Sequence, residues 1–192
     1  MTEEITAQIP LDRPMEYAEM ENFIRLLAAE YSLHLQVIGT SLGGQAILAV
    51  CVGEASGDKA RDAVLYVGGM EDNDWVSSAI LMRFLRDYCV FHKEERRLYG
   101  VNLPYLWENR TIYVIPCLHP DGVCTPGSRK NKPVLQRPAF LQVRDGFHKG
   151  MPFDFSEDVH IAPECAALCQ YCRFTPTRLC LYLTASESEN NA

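Results

Sequence analysis

The chain has 192 residues, 47% apolar and 22% charged, a balance that suits an ordinary soluble domain with length enough for a sizeable core. Its formal net charge of −7 gives no basic footprint for nucleic acid, and no stretch of about 18 apolar residues is present to span a membrane. The N-terminus, MTEEITAQIPLDRP, is acidic and has no apolar leader core. The eight cysteines are therefore expected to be reduced thiols in a cytoplasm, not an extracellular disulfide framework.

One domain is expected over residues 1–192, with an irregular arm at 1–14 and a polar tail at 186–192. Met15 to Tyr31 reads as a helix, because Met20, Phe23, Ile24, Leu27 and Ala28 fall on one stripe. Leu33 to Ile38 and Gln45 to Val52 read as two strands of a hairpin around the turn Gly39–Gly44. A polar loop, Glu54 to Asp62, leads into a buried strand, Ala63 to Val67. Gly68 and Gly69 end that strand, and an acidic loop, Glu71-Asp72-Asn73-Asp74, precedes an amphipathic helix from about Trp75 to Phe91. The run His92 to Arg97 reads as a solvated helix end. A short helix over Tyr105–Asn109, a strand over Thr111–Leu118 and a turn at Pro120-Asp121-Gly122 follow. Cys124 to Phe155 is rich in Pro, Gly and basic residues and reads as a long irregular excursion. Pro163 to Arg173 is a helix with proline at its start and Glu164 in its first turn, and Arg178 to Leu183 is a last strand. A hairpin followed by strand–helix–strand and helix–strand argues for an α/β fold. Its sheet is expected to be mixed and mostly parallel, with helices on both faces.

Several constellations invite chemistry. The acidic loop sits at the carboxyl end of a strand, where open α/β sheets place their sites. Gly39-Thr40-Ser41-Leu42-Gly43 matches the nucleophile elbow of serine hydrolases, with Ser41 as nucleophile. That elbow needs a helix directly after the serine, whereas Gln45 to Val52 reads as a strand. Cys165, Cys169 and Cys172 have the C-x3-C-x2-C spacing of an iron–sulfur site, but they fall at i, i+4 and i+7 of a helix, where thiols pack as small hydrophobes. His148 and His160 have no partner at metal-ligand spacing, and His119 reads as structural.

The order of parts resembles the zinc carboxypeptidase family over roughly residues 15–186. The helix MEYAEMENFIRLLAAEYS and the hairpin LQVIGTSLGGQAILAVCVG resemble that family's opening helix and hairpin. VLYVGGMEDNDWVSSAILMRFLRDY resembles its strand, metal loop and helix. YVIPCLHPDGV is similar to its P-x-x-N-P-D-G strand end, IAPECAALCQYC to its S-E-x-E-x-x-A-L helix, and LCLYLTAS to the strand ending in a metal-binding histidine.

The resemblance implies a carboxypeptidase-like fold and metal-dependent removal of a C-terminal residue from a peptide. In that chemistry three N/O ligands hold zinc and leave one position for water, whose pKa the metal lowers. Gly69-Met70-Glu71-Asp72-Asn73-Asp74-Trp75 lies on the family's Gly-x-His-x-x-Glu-Trp, which places Glu71 and Asp74 at two metal-ligand positions. Thr184 lies at the third. Ser128-Arg129-Lys130-Asn131 resembles the family's Trp-Arg-Lys-Asn, which places Arg129 at the substrate's oxyanion; it reads equally as one of a solvated basic group with Lys130 and Lys132. The Asn-Arg pair that would hold the substrate carboxylate has no counterpart around Pro152-Phe153-Asp154, and the family's C-terminal third, which carries the catalytic glutamate, has no counterpart up to Ala192.

Glu71 and Asp74, with Thr184, make a hard oxygen set better suited to Ca, Mg or Mn than to zinc. The competing reading is an acidic cap, with Asp74 preceding the helix at Trp75. The expected function is a degenerate carboxypeptidase-like domain, a pseudoenzyme or remnant that binds a peptide-like ligand. The alternatives are an active metal-dependent peptidase using Glu71 and Asp74, and a serine hydrolase using Ser41. A shortened domain leaves sheet edges and apolar helix faces open, so a second copy or a protein partner is expected to cover them.

Overall fold

The structure is a computed structural model that describes residues 9–53, 63–124, 162–175 and 177–183. Its centre is a sheet of the strands β1 (His34–Thr40), β2 (Ala46–Val52), β3 (Ala63–Val67), β6 (Ile112–Ile115) and β7 (Thr177–Tyr182), in the order β1-β2-β6-β3-β7. β1 with β2 and β2 with β6 run antiparallel; β6 with β3 and β3 with β7 run parallel. The sheet is mixed as the sequence predicts. Its pairings divide evenly instead of being mostly parallel, because the N-terminal hairpin joins the parallel strands through β6.

Strand β2 shows why both faces must be covered. Its sequence AILAVCV has no polar alternation, and nearly all of it is buried. Leu48, Val50 and Val52 belong to one apolar cluster, Ile47 and Ala49 to another, as the two-residue period of a strand requires. The first cluster takes in α1 (Tyr17–Glu30), α2 (Trp75–Lys93) and α3 (Leu103–Asn109). The second takes in α5 (Pro163–Phe174). Helices therefore lie on both faces. On α1 the buried residues are the predicted stripe of Met20, Phe23, Ile24, Leu27 and Ala28. Helix α5 comes so close to β1 that a Cβ on Gly39 would lie 2.5 Å from the Ala167 Cβ. A run of ring contacts, Phe84 to Tyr88 at 5.7 Å, Tyr88 to Trp107 at 5.6 Å and Trp107 to His92 at 4.0 Å, ties α3 to α2.

Two local expectations change. The charge run does not simply end α2: it continues into a small hairpin, β4 (Arg97–Leu98) and β5 (Val101–Asn102). Tyr99 at φ 50° and Gly100 at φ 82° form its tip, and two consecutive left-handed residues give the two-residue turn that matches strand twist. Pro120–Val123 closes into one helical turn, α4, where a simple turn is predicted. The excursion from residue 125 onward, the C-terminal tail and most of the N-terminal arm lie outside the described residues. Among those described, no helix is long and apolar enough to cross a membrane.

Candidate functional site at the carboxyl end of the sheet

The site forms where β3 and β6 leave the sheet side by side. The Gly68 N–H donates to the Ile115 carbonyl at 3.0 Å, Leu118 N–H to Gly68 at 3.0 Å, and His119 N–H to Gly69 at 2.7 Å. This pairing carries the acidic loop 71–74 alongside residues 119–122. Gly69 has φ 57°, and a Cβ there would meet Ser78 Oγ and the Cys117 backbone, so the approach needs glycine. The Asn73 N–H then donates to the Gly122 carbonyl at 3.2 Å.

Three side chains from distant parts of the sequence meet at this point. His119 Nε2 lies 3.1 Å from Asp72 Oδ1, and His119 Nδ1 lies 3.4 Å from Glu164 Oε1. Glu164, at the start of α5, is 1% exposed, and its Oε1 also accepts the Leu42 N–H at 3.2 Å. Burial by itself would lower the His119 pKa, but the bond to Glu164 and the charges of Glu164 and Asp72 outweigh it and raise the value above the usual imidazole range. Burial pushes Glu164 up, yet His119 and the backbone N–H donors, Leu42 among them, outweigh it and hold the carboxyl below its usual value. Next to this trio, Asp121 Oδ1 accepts the Ser41 hydroxyl at 2.9 Å and Oδ2 accepts the Gly43 N–H at 2.6 Å. The loop, the β6 exit, α5 and the β1–β2 turn are thus tied together by polar groups.

Of the residues singled out in the sequence, Glu71 and Asp74 lie in this loop, while Arg129, Thr184, His148 and His160 fall outside the described residues. Asp74 is 1% exposed and occupies the N-cap position of α2. The acid therefore stands where the cap reading expects it, although its side chain makes no capping hydrogen bond. Instead Ser77 Oγ donates to the Asp74 carbonyl at 3.2 Å and accepts the Gly69 N–H at 2.7 Å, which joins the helix start to the strand end. Glu71 is half-buried and its carbonyl accepts the Asp74 N–H at 3.2 Å.

Ser41 does not stand on the strand-to-helix elbow that the serine hydrolase reading needs. It is 5% exposed, its proton is held by Asp121, and its oxygen accepts the Gln45 N–H at 3.0 Å. The chain after it enters β2 and not a helix. Cys165, Cys169 and Cys172 stand along α5 as the helical reading predicts, each with its thiol pushed up to about 12 by burial, which disfavours the thiolate. None of the eight cysteines forms a disulfide.

Sequence reasoning missed the link between Asp72, His119 and Glu164. In the sequence His119 reads as structural and Glu164 as a first-turn acid. No spacing joins positions 72, 119 and 164; only the parallel exit of β3 and β6 and the packing of α5 do.

Comparison with known proteins agrees with this geometry. A family model described as zinc carboxypeptidase, peptidase M14, matches residues 20–135. The gamma-D-glutamyl-L-diamino acid endopeptidase 1 of Lysinibacillus sphaericus is 28% identical over 109 residues, which is 56% of this chain and 26% of that protein. The solved structure of thrombin activatable fibrinolysis inhibitor superposes with a TM-score of 0.70 at 15% identity, covering 97% of this chain and 51% of that one. Carboxypeptidase A from Helicoverpa armigera gives a TM-score of 0.62 at 17% identity, covering 93% of this chain and 47% of the other. At these identities the structural likeness establishes the fold alone. The chain spans about half the length of these solved structures and about a quarter of the endopeptidase.

Proposed function

This chain belongs to the zinc carboxypeptidase family, and on that footing we propose that it is a carboxypeptidase-like domain that binds a peptide or peptide-like ligand without hydrolysing it. One observation carries the reading. The loop at the end of β3 offers Glu71 and Asp74 where the family pattern has histidine and glutamate, and the second of these is 1% exposed.

The family's catalytic zinc needs three N/O ligands around one open position. The loop supplies two carboxylates and no imidazole, a donor set for a harder cation. Among the described residues no three of His, Cys, Asp and Glu gather in a way that could hold a metal. Two carboxylates without an imidazole do not match the family's zinc ligand set. A hard divalent cation at Glu71 and Asp74 is the competing route to hydrolysis. On the proposed reading, Arg129, which the family pattern places at the substrate's oxyanion, is retained as an anion contact for the ligand. Among the described strands β7 lies at an edge of the sheet, and it exposes Leu179 and Leu181, which supports the reading that a partner or a second copy covers this side.

The test is a peptide hydrolysis panel run with zinc, calcium, magnesium and manganese in turn, beside equilibrium binding of the same peptides. The expected result is no cleavage with any metal, with binding weakened by about tenfold in Arg129→Ala for peptides ending in a free carboxylate. Cleavage that appears with one metal and disappears in Glu71→Ala would establish the peptidase instead.

A further inference from the structure

The bridge through His119 reaches beyond any role in ligand binding. Each ring nitrogen faces a carboxylate oxygen, Asp72 Oδ1 at 3.1 Å and Glu164 Oε1 at 3.4 Å. An imidazolium donates to both. Either neutral tautomer has one N–H and must turn a lone pair toward the other carboxylate. The imidazole is mostly enclosed, with its side chain 17% exposed, so water does not readily replace a lost partner. Space around it is also set: a Cβ on Gly122 would meet Asp72 Oδ1 and would come within 2.5 Å of His119 Nε2, so Gly122 lets the pair close.

We propose that His119 is a proton-operated clasp: as an imidazolium it fastens the loop Glu71–Asp74 to helix α5, and on releasing a proton to solvent it frees the loop. The Asp72 side opens because that carboxylate is 33% exposed and can turn to water, whereas Glu164 is 1% exposed and is anchored by the Leu42 N–H. Among the described residues the charged groups facing the imidazole are Asp72 from the loop and Glu164 from α5. The neighbouring acid on its own turn, Asp121, is engaged with Ser41 and Gly43.

The sign follows from linkage. The His119 pKa is raised in the folded chain, so its contribution is complete below the ordinary imidazole value of 6.5 and is lost as pH rises through the folded value. The Glu164 pKa is lowered, so its contribution is present above its ordinary value of 4.5 and is lost as pH falls through the folded value. The clasp is strongest between these limits.

The experiment is amide hydrogen exchange across neutral and mildly alkaline pH, corrected for intrinsic rates. The Asn73 amide, bonded to the Gly122 carbonyl, reports on the loop, and the β3 amides serve as an internal control. NMR titration of the His119 ring runs in parallel. The expected result is that Asn73 protection falls about three- to tenfold with the same midpoint as the His119 titration, while β3 stays unchanged. In His119→Asn the step should vanish. In Asp72→Asn the His119 midpoint should move down. Protection of Asn73 that does not vary with pH, or a step that survives in His119→Asn, overturns the clasp.

Discussion

Asp121→Ala is expected to lower the unfolding free energy by about 3–4 kcal/mol, although the residue touches no ligand position. Its carboxylate is 6% exposed and bonds through both oxygens, to the Ser41 hydroxyl at 2.9 Å and the Gly43 N–H at 2.6 Å. Ser41 in turn accepts the Gln45 N–H at 3.0 Å, so one carboxylate organises the whole β1–β2 turn. Alanine leaves a hydroxyl and an amide with no acceptor, each costing about 1–3 kcal/mol, less what water recovers. The carboxylate reaches the backbone because residue 43 is glycine; a Cβ there would sit 2.5 Å from Asp121 Oδ1. Asp121→Asn should cost less, about 1–2 kcal/mol, since one oxygen remains to accept while the amide NH2 faces a donor. Urea unfolding with an unchanged m-value is the measurement. A loss under about 1 kcal/mol for Asp121→Ala would mean that the turn is held by something else.

Leu85→Ala should have an effect of similar size, about 3–4 kcal/mol, for a different reason. Leu85 is 0% exposed and sits on α2 in the cluster that also holds Leu48, Val50 and Val114 of the sheet and Ile24 and Leu27 of α1. Truncation removes buried methyl groups and leaves a hole that three elements cannot close together. Ile80 is the control: it lies on the same helix but is 46% exposed, and Ile80→Ala should change stability by about 0.5 kcal/mol or less. Equal losses at the two positions would contradict this assignment of faces.

These effects trace what the sequence could disclose. The stripe on α1 and the apolar runs of β2 and β3 were legible because burial on one or both faces leaves a periodic or continuous apolar pattern. The β4–β5 hairpin was not, because two-residue strands show no alternation; only Gly100 hinted at it. The mostly parallel sheet was overestimated, because strand order is not written in periodicity and β6 has to join the hairpin to the parallel strands. At the site, the position of the acidic loop was readable from strand, glycines and helix. Asp74 takes the N-cap position that its residue type and place before Trp75 suggest, but the absence of a side-chain capping hydrogen bond is not visible from sequence. The meeting of Asp72, His119 and Glu164 brings together three segments far apart in the chain, which no local signal encodes. Arg129 and Thr184 lie outside the described residues.

The most direct test of the central claim, that the family's metal chemistry does not operate in this chain, is metal stoichiometry. The protein and its Glu71→Ala variant would be incubated with zinc, calcium and manganese, exchanged into metal-free buffer and read by elemental mass spectrometry. The account predicts no retained stoichiometric metal in either protein. About one metal per chain in the wild type, lost in Glu71→Ala, would contradict it and make the loop of residues 71–74 a working metal site.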